Sequence, residues 1–99
     1  TYLKKFQDDP KSRVFAPLAE AYRKAGLPDE AISIAQEGLI HHPNFVGGKV
    51  ALARAFFDKK RYEEVISILS QVTIEVPDNI VAQRLFAESC LILGHLTRA

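Results

Sequence analysis

The chain contains no methionine, no tryptophan and only one cysteine, Cys90. A single cysteine excludes an internal disulfide and suits a reducing compartment, so the cytoplasm is the expected location. Neither sign of charge is in excess: 13 Lys and Arg stand against 12 Asp and Glu, a formal net charge of +1. Near neutrality removes the general electrostatic attraction to nucleic acid or to an anionic membrane surface. No apolar run approaches the roughly 18 residues of a spanning helix. No signal-peptide pattern opens the chain. A sequence that begins at Thr1 and holds no methionine is expected to be a piece of a longer protein, with any targeting segment lying outside it. Strand patterning is also missing, because the β-branched residues fall at helical intervals and not in alternation.

What is present is ordinary for a globular domain: 47% hydrophobic and 25% charged residues in a chain of 99. A chain of this length buries roughly 60–65% of its unfolded surface. The organising feature is a repeat. "LAEAYRKAGLPDEAISI" runs from Leu18 to Ile34, and "LARAFFDKKRYEEVISI" follows from Leu52 to Ile68, 34 residues later. Laying residues 12–45 over 46–79 matches Leu18 with Leu52, Ala19 with Ala53, Ala21 with Ala55 and Glu30 with Glu64. The match continues through Ile32 with Ile66, Ser33 with Ser67, Ile34 with Ile68 and Pro43 with Pro77. A third copy starts at Ile80, with Phe86, Ala87, Cys90 and Gly94 in register, and ends at Ala99 without a second half.

Within each copy the apolar residues recur at helical spacing on two successive faces. Val14, Phe15, Leu18, Ala19, Tyr22 and Ala25 form the first, and Ala31, Ile32, Ala35, Leu39 and Ile40 the second. Between them, Gly26 can take the left-handed turn that closes a helix, and Pro28 with Asp29 can open the next. "HHPN" and "VPDN" punctuate the copies, with Asn44 and Asp78 as the expected caps. The spacing predicts helices at 13–25, 29–42, 46–59, 62–75 and 80–93. Residues 1–11 read as the end of a preceding second helix, since Tyr2 and Phe6 sit four apart.

A helix–turn–helix of 34 residues, with Leu-Ala, an aromatic, Gly, Ala and Pro in order, resembles the tetratricopeptide repeat. In the first copy Leu18, Ala19, Tyr22, Gly26, Ala31 and Pro43 carry the pattern, and in the second Leu52, Ala53, Phe56, Tyr62 and Pro77 do. Copy two departs from it with Val65 for alanine, Lys60 for glycine, Lys49 for the aromatic at Phe15, and Val72 for the small residue at Gly38. These departures predict looser packing there. The resemblance covers residues 12–99 and is closest to bacterial members of the family. It implies an all-α fold, a right-handed superhelical stack of antiparallel helix hairpins, forming one domain. Residues 12–45 would be repeat 1, 46–79 repeat 2 and 80–99 a partial repeat 3.

The resemblance also implies a function. The first helix of each pair would line a concave groove that holds a partner peptide or helix, making the chain a protein–protein interaction scaffold. Transferred to this sequence, the groove positions include Arg13, Glu20, Arg23, Val50, Arg54, Phe57, Arg84 and Glu88. Arg13, Arg54 and Arg84 would be forks for partner carboxylates and Phe57 an apolar anchor, set against the plain alternatives of solvated charges and packing against a neighbouring repeat. The dicarboxylate clamp of chaperone-binding members is excluded, because Ala16, Glu20, Ala51, Val81 and Leu85 occupy its positions. RNA-reading relatives use a 35-residue period, so no nucleic-acid partner is expected; nor is a membrane partner. The alternative function is self-assembly. The partial third copy leaves Leu91, Leu93 and Leu96 without a covering helix, so a homodimer is possible.

No catalytic chemistry emerges. His41 and His42 are adjacent, not four apart, and point about 100° from each other on a helix. Favourable contact with a helix C-terminus explains them better than a metal. Cys90 reads as a buried, inert thiol, because no His, Asn or Asp motif accompanies it. Gly47-Gly48 lacks the lysine and hydroxyl pattern of a phosphate loop. Neither a metal nor a cofactor is expected, and the chain reads as a non-enzyme. The register makes one sharp claim. Leu52→Ala or Phe56→Ala should each cost roughly 2–5 kcal/mol and unfold the domain. Circular dichroism showing either variant fully folded would contradict the register.

Overall fold

The computed structural model describes residues 14–98, with side chains through Gly94. Five helices follow one another: α1 (Phe15–Lys24), α2 (Pro28–His41), α3 (Val46–Asp58), α4 (Tyr62–Glu75) and α5 (Ile80–Arg98). No strand occurs among the described residues. The architecture is the all-α stack of helix hairpins that the repeat implies. The first four helices lie within two residues of their expected bounds. The segment 1–11, read as the end of an earlier helix, lies outside the described residues.

The loops within the hairpins show why the chain turns where it does. Gly26 takes φ +85°, and the amide of Leu27 donates to the Tyr22 carbonyl at 3.0 Å, closing α1 in a left-handed C-cap. Pro28 then occupies the first turn of α2, where its missing N–H costs nothing. The α3–α4 loop repeats this geometry without a glycine. Lys60 takes φ +62°, and the Arg61 amide donates to the Phe56 carbonyl at 2.9 Å. Here the guanidinium of Arg61 also lies 4.9 Å over the Phe56 ring.

Caps between the copies sit one residue later than the sequence suggests. Phe45, not Asn44, precedes α3, and it caps with no side-chain hydrogen bond. Its ring packs edge-on to Phe15 with centroids 5.8 Å apart. Before α5, Asn79 and not Asp78 is the cap, its Oδ1 accepting from the Ala82 amide at 3.1 Å. α5 departs furthest from expectation. It runs through Gly94 to Arg98, and Gly94 is not among the positive-φ glycines. Among the described residues no further helix packs there to reward a left-handed turn.

Packing orders the helices into an inner and an outer row. α1 contacts α3 and α3 contacts α5, whereas α2 and α4 do not meet. The first helices therefore converge and the second helices splay apart, which makes the first-helix side concave. The core runs through the middle of this wedge: Ala19, Ala31, Ala53, Val65, Leu69 and Val72 are at most 1% exposed. Copy two is not looser than copy one. Val65 and Val72 are both sealed, and α3 buries more of its residues than α1, being packed on both sides. In copy one the same volume is filled the other way round. Phe15 lies against Gly38, where any Cβ would collide with its ring, and a Cβ on Gly48 would come 2.6 Å from that ring. On the second face the apolar stripe ends at Leu39, since Ile40 is fully outside the core.

Lys60 pays a steric penalty of about 1 kcal/mol for its left-handed backbone. Lys60→Gly should therefore raise stability by about that amount, read as a higher urea midpoint with an unchanged slope. A lower midpoint would mean that contacts of the lysine side chain outweigh its backbone strain.

Candidate functional site

The concave side carries a cleft of about 310 Å³ where α1, α3 and the start of α5 come together. Ala16, Pro17, Val50, Ala51 and Val81 form most of its wall, with Glu20 and Arg54 at its edge. These positions are apolar or small because they recur one helical turn apart on first helices that converge. The cleft is thus a by-product of the same close approach that builds the core.

Four charged groups bridge α1 and α3 beside this cleft. Glu20 engages the Arg23 guanidinium through Oε1 and receives Arg54 NH1 on Oε2 at 2.6 Å. Arg23 in turn reaches Asp58 Oδ2 at 2.8 Å. Burial alone would lower the Arg23 pKa, but the hydrogen bonds and charges of Glu20 and Asp58 outweigh it and hold the guanidinium above its ordinary value. A second pair, Lys59 with Asp29 at 3.1 Å, ties the end of α3 to the first turn of α2. These contacts link neighbouring hairpins, so they help set the angle between repeats.

The candidate residues fare differently. Glu20, Val50 and Arg54 come together at the cleft. Arg23 stands beside them, held by Glu20 and Asp58, and Arg54, expected as a fork for partner carboxylates, is engaged by Glu20. Phe57 is half-buried and meets Tyr62 edge-on at 5.3 Å, which makes it a packing residue and not a wall of the cleft. Arg84 and Glu88 are exposed on α5. Arg13 lies outside the described residues. Sequence reasoning missed Asn79, which lines the cleft while capping α5. It also missed the cross-repeat partners. No local signal marks those, because Glu20 and Arg54 become neighbours only when the hairpins stack.

At the open side of α5, Leu91 is 64% exposed and Leu93 half-buried, while the side chain of Leu96 lies outside those described. Cys90 is exposed, contrary to the buried thiol expected. The matching position in copy two, Phe56, is buried against its own second helix, and α5 has no such neighbour among the described residues. Ser89 is buried in its stead, its hydroxyl without a hydrogen-bond partner. His42 stacks on Phe15 with ring centroids 6.3 Å apart. Among the described residues no group of three or more His, Cys, Asp or Glu is placed to hold a metal. No helix there is long and apolar enough to cross a membrane.

The sequence matches a family model described as tetratricopeptide repeat over residues 22–88, about two thirds of the chain. No curated protein matches it.

Proposed function

Since the chain belongs to the tetratricopeptide repeat family, whose repeats generally mediate protein–protein interaction and are typically non-catalytic, we propose that it is a scaffold module holding a partner peptide or helix in its concave groove. The observation that carries this reading is the cleft between α1, α3 and α5. It joins an apolar wall to a charged edge on the inner side of the stack. Such a surface suits an inserted apolar side chain framed by polar contacts. The reading needs neither a cofactor nor a metal.

A second reading is self-assembly through the open face of α5. The exposed Leu91 and the exposed Cys90 beside it support it, as that face is the counterpart of one that is covered in the second copy. The two readings rest on different residues of α5, Val81 at the cleft for the first and Leu91 for the second. Peptides selected from a random phage-displayed library should bind the wild type, and Val81→Glu should weaken them by about tenfold or more. Ile40→Glu, on a second helix, should leave them unchanged. Binding indifferent to Val81→Glu would contradict the groove. Light scattering on the same samples decides the second reading: a dimer disrupted by Leu91→Glu would support it, and a monomer at every concentration would end it.

A further inference from the structure

The charges along the groove are not equivalent, and their arrangement speaks to the chemistry of the occupant. Glu20, Arg23, Arg54 and Asp58 satisfy one another across α1 and α3 and sum to zero. Two of the groove arginines are therefore already engaged by the protein's own carboxylates. An incoming carboxylate at Arg54 would stand next to Glu20, whose negative charge already offsets that of Arg54. Arg84 differs. It lies on α5 one turn beyond Val81, which lines the cleft, and it is exposed. Among the described residues it forms no ion pair.

The order along α5 adds direction. Val81 is at the cleft, Arg84 follows, and Glu88 stands exposed one turn further on. A carboxylate placed beyond Arg84 would meet Glu88 and be repelled. One placed toward the cleft meets Arg84, the apolar wall and Glu20, whose charge is already balanced by Arg23 and Arg54. The cleft itself, at about 310 Å³, is at the lower end of ligand pockets, roughly 300 Å³, and has room for an apolar side chain.

We infer that the occupant of the groove is a peptide segment of a partner protein carrying a branched apolar side chain with a carboxylate beside it. The side chain sits between α1, α3 and Val81, and the carboxylate pairs with Arg84. Arg84 is then the residue that sets specificity, and Glu20 is what keeps Arg54 from sharing that role. This inference rests on the groove reading above.

The test uses the peptides selected on the wild-type protein, labelled and titrated by fluorescence anisotropy. Enriched sequences should place Asp or Glu next to Leu, Ile or Val. Arg84→Gln should weaken the best of them roughly threefold to tenfold, as loss of one exposed charge-assisted contact. That loss should vanish when the peptide's carboxylate is changed to its amide. Arg84 is exposed, so its variant should keep the helical circular dichroism of the wild type. Peptides that lose affinity with Val81→Glu but not with Arg84→Gln would overturn this inference and leave the groove standing. Sensitivity to Arg54→Gln instead of Arg84→Gln would overturn it too, by showing that Glu20 yields its arginine. Selection of no peptide, or indifference to Val81→Glu, would defeat the groove reading and this inference with it.

Discussion

Six alanines, Ala19, Ala31, Ala35, Ala53, Ala55 and Ala82, are at most 1% exposed, and five helices pack around them. A methyl side chain lets two helix backbones approach more closely than any larger residue does, and close approach multiplies weak dispersion contacts. The other features of the fold depend on that constraint. Leu18, Leu52, Phe56 and Leu69 fill the space between the close contacts. The first helices converge because their facing residues are small, and the second helices splay because theirs do not meet. Concavity on the first-helix side follows from this, and the cleft follows from the concavity.

The same packing explains why two copies of one motif tolerate different residues. In copy one a large ring at Phe15 faces a glycine at Gly38. In copy two a lysine stands at the first position and a sealed valine, Val72, at the second. Volume is redistributed between the two helices of a hairpin, so the pair is preserved although neither residue is. Lys60 shows the limit of such exchange. Its backbone keeps the left-handed turn that Gly26 takes more easily, because the hairpin geometry leaves no other way into α4.

What was legible in the sequence is what repeats. A period of 34 residues, seen in Leu18 and Leu52 or Pro43 and Pro77, located four helices closely and the hairpin turns with them. What was not legible arises from stacking or from a missing neighbour. The register put Cys90 where Phe56 is buried, but that burial comes from the second helix of the same hairpin, which α5 lacks among the described residues. Asn44 and Asp78 look like caps by residue type, yet the loops place Phe45 and Asn79 at the helix starts. The groove positions were legible as positions. That Glu20 would occupy Arg54 was not, since a contact between residues 34 apart depends on the angle between hairpins. Charges judged singly from a helix surface are poor guides until their partners are known.

The central claim is that methyl-sized residues at the helix contacts hold the stack together and shape its inner face. Equilibrium urea unfolding of Ala53→Leu tests it most directly, because Ala53 is fully buried in the middle repeat. Overpacking at such a site should lower stability by about 1–3 kcal/mol. A variant as stable as the wild type, or more so, would mean that the helices do not need this close approach, and the account of the groove would fail with it.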